Sequence, residues 1–271
     1  MFKVTQMDHE QPKYFYKYRH ISNTHDLAAD YSLTNLINCE SVFSSRLNFN
    51  DLFDSKIQLI NPTPKEIKEL SFLCGKSKRY MLQNYIYKGS FTLEGEKILA
   101  NIDEQLTKLI DSYAFICLSS RADSNLMWSH YADSHKGFCI EFKSEYIKAE
   151  KVTYANRIPS LKTIDLMKVS LLDGPHEKLG NDILAALCTK LEEWKYESEY
   201  RVIASRKQVE ILGPPYFKKL AYDRQWVESV IFGYRMDKDI KNYIIKNLPE
   251  GTKFKQAVPG LSRIEIKPFQ V

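Results

Sequence analysis

The sequence predicts an α+β fold: mixed, mostly antiparallel, twisted sheets with helical insertions. Three observations lead there. Short alternating or apolar runs of strand length recur along the chain, among them YFYKYR, AFICLS and GFCIEF. Between Pro62 and Ser112 the spacing switches to a helical period. No Pro/Gly/Ser-rich linker divides the 271 residues, so residues 1–271 read as a single domain, with a helical insert at about 62–112 and a second helical segment at about 160–193.

In order, Tyr14 to Arg19 is an aromatic strand, and Ser22 to Asp26 offers caps for helical residues Leu27, Leu33, Leu36 and Ile37. Ser41 to Arg46 is a second strand, and Asn48 to Asp54 a polar-aromatic loop whose Asn50, Asp51 and Asp54 read as turn and cap residues. Lys56 to Leu59 is a third strand. Thr63-Pro64 with Glu66 opens a helix carrying Leu70, Leu73, Met81, Leu82 and Tyr85, and Gly95 to Ile110 forms another. Strands return at Ala114 to Ser119, Gly137 to Phe142 and Val152 to Tyr154. Helices follow at Lys162 to Leu171 and Asn181 to Leu191, and Glu193 to Ala204 ends in a strand. Phe217 to Leu220, Val227 to Phe232 and Arg263 to Ile266 complete the strands, with Met236 to Asn247 a C-terminal helix.

Composition narrows the function classes. Hydrophobic residues make up 44% and charged residues 27%, which excludes disorder as the main state. The net charge of +5 admits an anionic partner without the basic stripe of a dedicated nucleic-acid binder. No window approaches the roughly 20 apolar residues of a membrane span, and the first residues lack an apolar signal core, so a cytoplasmic protein is expected. Cys39, Cys74, Cys117, Cys139 and Cys188 form no CxxC pair and read as reduced core residues. His130, His135 and Cys139 lack the spacing of a zinc motif, and no metal is expected. Phosphate-loop, dinucleotide-fold and serine-hydrolase motifs are absent.

Two segments concentrate chemistry. LMWSHYADSHKGFCIEF carries Trp128, His130 and Tyr131: an aromatic face, a titratable ring and a hydroxyl, or, structurally, a core Trp and a backbone-bonded His. YESEYRVIA carries Glu197 and Glu199. If Glu197 is already extended, both carboxylates share one face, where one stays ionised beside a developing cation. The structural alternative is a solvated edge with Arg201 neutralising a neighbour. Arg19, ending the first strand, suits a bidentate phosphate contact or a structural salt bridge.

The YKYR start, the FNDLFD loop, CLS followed by LMWSHYADSHKGFCIEF, and W-x-YE-x-EYR-x-I together resemble the bacterial domain of unknown function 2971 family, from about Tyr16 to Phe232. Leu52 stands where that family usually has Pro. More distantly, an early strand ending in Arg, a Ser-bearing strand and a late strand introduced by Glu look like the ADP-ribosyltransferase superfamily, and Glu197-Ser198-Glu199 is similar to its E-x-E.

That resemblance implies a split sheet and an NAD-dependent transferase modifying a nucleic-acid or protein acceptor, as a bacterial toxin or phage-defence effector. It implies Glu199 stabilising an oxocarbenium-like cation as the ribose–nicotinamide bond breaks, and Glu197 handling the acceptor. Arg19 would hold the pyrophosphate and Ser45 the nicotinamide ribose or Glu199. Tyr131 or Trp128 would stack on nicotinamide, positioned by His130. NAD would be the substrate rather than a resident cofactor. The competing expectations are a non-catalytic nucleic-acid-binding or interaction module, and a metal-assisted hydrolase or nuclease using Asp51, Asp54, His130 and Glu199.

Overall fold

The computed structural model describes residues 11–172, 176–204 and 218–270. In chain order the elements are β1 (Tyr14–Arg19), α1 (Tyr31–Ile37), β2 (Glu40–Ser45), β3 (Gln58–Ile60), α2 (Pro64–Leu73), α3 (Lys76–Asn84), β4 (Ile86–Tyr87), β5 (Ser90–Phe91) and α4 (Leu93–Asp111). There follow β6 (Ala114–Ser119), α5 (Asn125–Tyr131), β7 (Phe138–Lys143), β8 (Glu150–Lys151), β9 (Thr153–Ala155), β10 (Ser160–Lys162), α6 (Thr163–Leu171), α7 (His176–Leu187) and β11 (Thr189–Leu191). The last are β12 (Glu199–Ala204), β13 (Lys218–Ala221), β14 (Val227–Phe232), α8 (Lys238–Asn247), β15 (Phe254–Pro259) and β16 (Ile264–Pro268). The mixed, mostly antiparallel α+β class is as the sequence predicts. Phe217, expected to open a strand, lies outside the described residues.

Contacts group the chain into two compact units where the sequence suggests one domain. The described part of the first is Phe49–Tyr113 with Thr153–Leu191. Both stretches interrupt the second unit in sequence, so no linker composition marks the boundary.

The first unit is mainly helical. The Thr63 side chain accepts from the Glu66 backbone N–H, and the Glu66 carboxylate accepts from Thr63 N–H at 2.7 Å, a capping box that starts α2 with Pro64 in its first turn. Ile67, Leu70 and Cys74 pack with Leu82 and Tyr85, and Ile164 and Met167 of α6 close this small core. In the FNDLFD loop, Asp51 Oδ1 accepts from Phe53 N–H at 2.8 Å, the expected turn role. Asp54 is buried in an ion pair with Lys190 at 3.4 Å.

The second unit holds the large sheet, in the order β13-β2-β6-β1-β7-β14-β15-β16, with β12 on β6 and β8 on β12. Most pairs are antiparallel; β14 and β15 run parallel. Along one edge of β6, β12 pairs continuously from Glu199↔Ser119 to Ala204↔Ala114. The opposite edge is shared. β1 meets it only at Tyr16↔Ser119, and β2 only at Ser44↔Phe115 and Ser45↔Ala114. The sheet therefore splits, with β1 and β2 diverging from the two ends of one strand edge.

One face of this sheet carries Phe15, Leu118, Ile140 and Phe142 and packs on Leu33 and Leu36 of α1 and Ile240 and Ile244 of α8. The other face carries Tyr18, Cys139 and Ile231 under Met127 and Trp128 of α5. Asp30 fixes α1: its Oδ1 accepts from Ser32 and Leu33 N–H, and its Oδ2 from Ser22 and Asn23 N–H and the Ser22 hydroxyl. The cap is thus four residues later than the Ser22 to Asp26 stretch suggests.

Candidate functional site

Two polar constellations lie in the second unit, on opposite faces of the sheet. The first is a transverse row. Ser229, Glu141, Tyr16, Ser119 and Glu199 stand in register on five adjacent strands, so the pleat directs all five to one face. Glu141 is 3% exposed and fully engaged: Tyr16 OH donates to Oε1 at 3.1 Å, and Ser229 Oγ (2.5 Å) and Lys255 Nζ (2.6 Å) donate to Oε2. Burial first, then the Glu141 carboxylate, push the Tyr16 hydroxyl far above its ordinary pKa.

Glu199 is buried in an ion pair. Arg201, two residues along the same strand face, donates to it bidentately, Nε to Oε1 at 2.9 Å and Nη2 to Oε2 at 3.0 Å. Arg201 is fully buried and Glu199 is 4% exposed, and the guanidinium lies 5.7 Å from the Phe115 ring. The structural alternative, Arg201 neutralising a neighbour, describes this pair, except that the edge is buried.

Glu197 does not share the strand with Glu199. It closes a 3-10 turn, Glu192–Glu197, and Ser198 between them adopts φ +47°, a left-handed conformation that breaks the alternation. The junction is clamped to the end of β6: Ser119 Oγ donates to Glu197 O at 2.6 Å, and Ser120 N–H to Ser198 O at 3.0 Å. The buried Glu197 carboxylate accepts from the Tyr131 hydroxyl.

Trp128 is fully buried, edge-on to Tyr18 at 5.1 Å, and its Nε1 donates to Ala122 O at 2.8 Å. It is a core residue and offers no face to nicotinamide, which corrects that expectation. His130 is exposed, its ring 6.0 Å from Tyr196. Ser45 is buried, and its Oγ accepts from Leu47 N–H at 3.3 Å, a turn contact. Behind α5, Asp133, Ser134 and His135 all take positive φ, and Gly137 follows where a Cβ would meet Arg19 O at 2.1 Å. Only glycine permits that approach.

The second constellation lies in the split. Lys17 and Arg19 project to the face opposite Glu199, into a pocket also lined by Ser32, Asn35, Leu36, Glu40, Ser41, Val42, Ile140 and Phe142. Divergence of β1 leaves the Cys117 carbonyl on the shared edge of β6 without a strand partner, and Lys17 Nζ donates to it at 2.8 Å. Lys17 is half-buried, and loss of solvation draws its pKa down to about 8. Burial likewise lowers the pKa of Arg19, whose guanidinium stands 5.7 Å over the Tyr31 ring.

Neither cation has a carboxylate within ion-pair distance among the described residues. Asp30 influences Arg19 from a distance, but five hydrogen bonds already occupy its oxygens. Glu40 on the pocket wall is taken by Lys219 at 2.7 Å. Asn35, 4% exposed, leaves both Oδ1 and Nδ2 unbonded. The cavity is about 10 Å³, room for one water molecule.

Arg19 and Glu199 project to opposite faces of the sheet, and Ser45 is not among the residues lining the pocket around Arg19. Sequence reading missed Lys17, Asn35 and Glu141. Each had a signal. Lys17 shares a buried face with Phe15, Asn35 sits between Leu33 and Leu36, and Glu141 interrupts an apolar strand.

Among the described residues no three His, Cys, Asp or Glu side chains converge as a metal site, and no helix is long and apolar enough to cross a membrane. No curated protein and no solved structure matches the chain. A family model described as protein of unknown function (DUF2971) matches residues 127–202. That stretch contains the two longer motifs almost whole, with Glu141, Glu197, Glu199 and Arg201, whereas YKYR and FNDLFD fall outside it. Over residues 127–202 the chain is similar to the DUF2971 family.

Proposed function

We propose that the second unit is a binding module for a phosphate-bearing ligand, held in the split of the sheet by Lys17 and Arg19. The observation that carries this reading is two desolvated cations without carboxylate partners among the described residues, beside a buried amide with neither of its atoms bonded. Buried charges are ordinarily paired, and an anion is the missing partner. Of the roles the superfamily resemblance implies, a phosphate contact for Arg19 is the one this pocket supports. NAD and nucleic acid enter the reading as carriers of phosphate.

The transferase reading has weaker support. Its carboxylate must stabilise a developing cation, and Glu199 already neutralises Arg201. A carboxylate with its charge engaged has little left for an oxocarbenium ion.

The test is thermal unfolding of the full chain in inorganic phosphate. Phosphate raises the midpoint of wild type, as expected for a ligand that binds the folded state, and leaves that of Arg19→Ala unchanged. Equal responses of the two proteins would refute the reading. Nicotinamide release from NAD that is lost in Glu199→Gln would restore the transferase.

A further inference from the structure

We infer that the split pocket takes the terminal phosphoryl group of a phosphomonoester, its oxygens held by Lys17, Arg19 and the side-chain amide of Asn35. The inference rests on the phosphate-binding reading above and names the class of phosphate.

Charge is the first argument. With Glu40 held by Lys219 and Asp30 acting on Arg19 only from a distance, Lys17 and Arg19 present two positive charges with no carboxylate in ion-pair contact among the described residues. A phosphomonoester carries about −1.5 to −2 at neutral pH, with a second pKa of about 6. A diester, or either phosphorus of an internal pyrophosphate, carries one.

Shape is the second. A cavity of about 10 Å³ admits the oxygen tip of a tetrahedral group but not a ribose or a base. A terminal phosphoryl can turn any one of its three oxygens into such a recess and leaves a single ester arm outside. An internal phosphate must keep two arms outside while turning an oxygen inward.

Hydrogen-bond inventory is the third. Asn35 presents both a donor and an acceptor without partners. A monoester dianion supplies three acceptor oxygens, which Nδ2, Lys17 and Arg19 can share. A diester offers two. Lys17 can exchange its bond to the Cys117 carbonyl for one to the ligand, because its alkyl stem is flexible.

The experiment is calorimetric titration of the full chain near pH 7 with methyl phosphate and with dimethyl phosphate. Methyl phosphate binds at least about tenfold tighter, and Asn35→Asp, which adds a negative charge to the pocket, abolishes that binding. Should Asn35→Asp not fold, Asn35→Leu is measured instead and loses the preference. Two competitors identify the source: a short oligonucleotide with a 5′-phosphate, and the same oligonucleotide with a 5′-hydroxyl. Displacement of methyl phosphate by the 5′-phosphate form alone supports the inference and assigns a nucleic-acid end. Displacement by neither supports it and assigns a small phosphomonoester. Equal affinity for the two methyl esters, or displacement by both oligonucleotides to the same extent, overturns the terminal-phosphate inference while leaving a phosphate site in place. Failure of both esters to bind overturns the phosphate reading as well.

Discussion

Two arginines of the same sheet, Arg19 and Arg201, are both withdrawn from water, and their surroundings differ in one respect. Arg201 has a carboxylate two residues away on its own strand face and is bound by it twice. Arg19 faces a pocket it shares with Lys17, and neither has a carboxylate partner among the described residues. Removing the partner of a paired buried charge is costly, and a charge buried without a partner burdens the fold. The comparison moves functional interest from Glu199, the residue that motif reading favoured, to the opposite face.

The sharpest way to break the comparison is Glu199→Ala. It strands Arg201 in the interior and costs about 3–5 kcal/mol, read as a lower denaturant midpoint. A stable Glu199→Ala protein would mean that the pair is not structural. Gly137→Ala comes next. Its new methyl would lie 2.1 Å from the Arg19 carbonyl, so β1 or the turn before β7 must shift. A loss of about 1–3 kcal/mol and weakened phosphate binding are expected together.

Asn35→Leu sharpens the contrast in the other direction. Replacing an amide with no hydrogen bonds by an apolar group is expected to stabilise the fold by about 1–3 kcal/mol. Reduced stability would show that the amide has a partner in solution.

Effects of pH follow from Lys17, whose amine feels Cys117, Arg19, Glu199 and Cys139 electrostatically and shares its pocket with Glu40. Its folded pKa, about 8, is below the unfolded value of 10.5. Between those values the unfolded chain binds more protons, so stability rises with pH. The gain is about 1–2 kcal/mol once discounted for the half-exposed side chain. Lys17→Met lacks this rise. Phosphate affinity moves oppositely, falling above about pH 8 as the ammonium is lost. The smallest effect is His130→Ala, an exposed side chain expected to change stability by under about 0.5 kcal/mol.

How much was legible in the sequence depended on whether local pattern and tertiary role agreed. β1, β6 and β14 match their apolar runs, because strand propensity and burial point the same way. The β4–β5 hairpin was missed. Its turn is Lys88-Gly89, both at positive φ, and Lys is a weaker signal there than Asn or Asp. β15, FKQAVP, mixes polar and apolar residues and is held by neighbours distant in sequence, so no local period announces it. The candidate site was half legible. Arg19 stands out at the end of an aromatic strand. The split that isolates it arises because β1 and β2 share one edge of a strand about 70 to 100 residues away in sequence, and spacing along the chain does not encode that. Glu197 and Glu199 read as a pair only while Ser198 was assumed extended.

Binding of a terminal phosphate by the cations of the split pocket would be visible in a crystal structure grown with methyl phosphate. The account predicts a tetrahedral density within hydrogen-bond distance of Lys17, Arg19 and Asn35, with the Glu199–Arg201 pair intact. An empty split pocket, with the ligand instead bound beside Glu199 and the Arg201 pair opened, would contradict it.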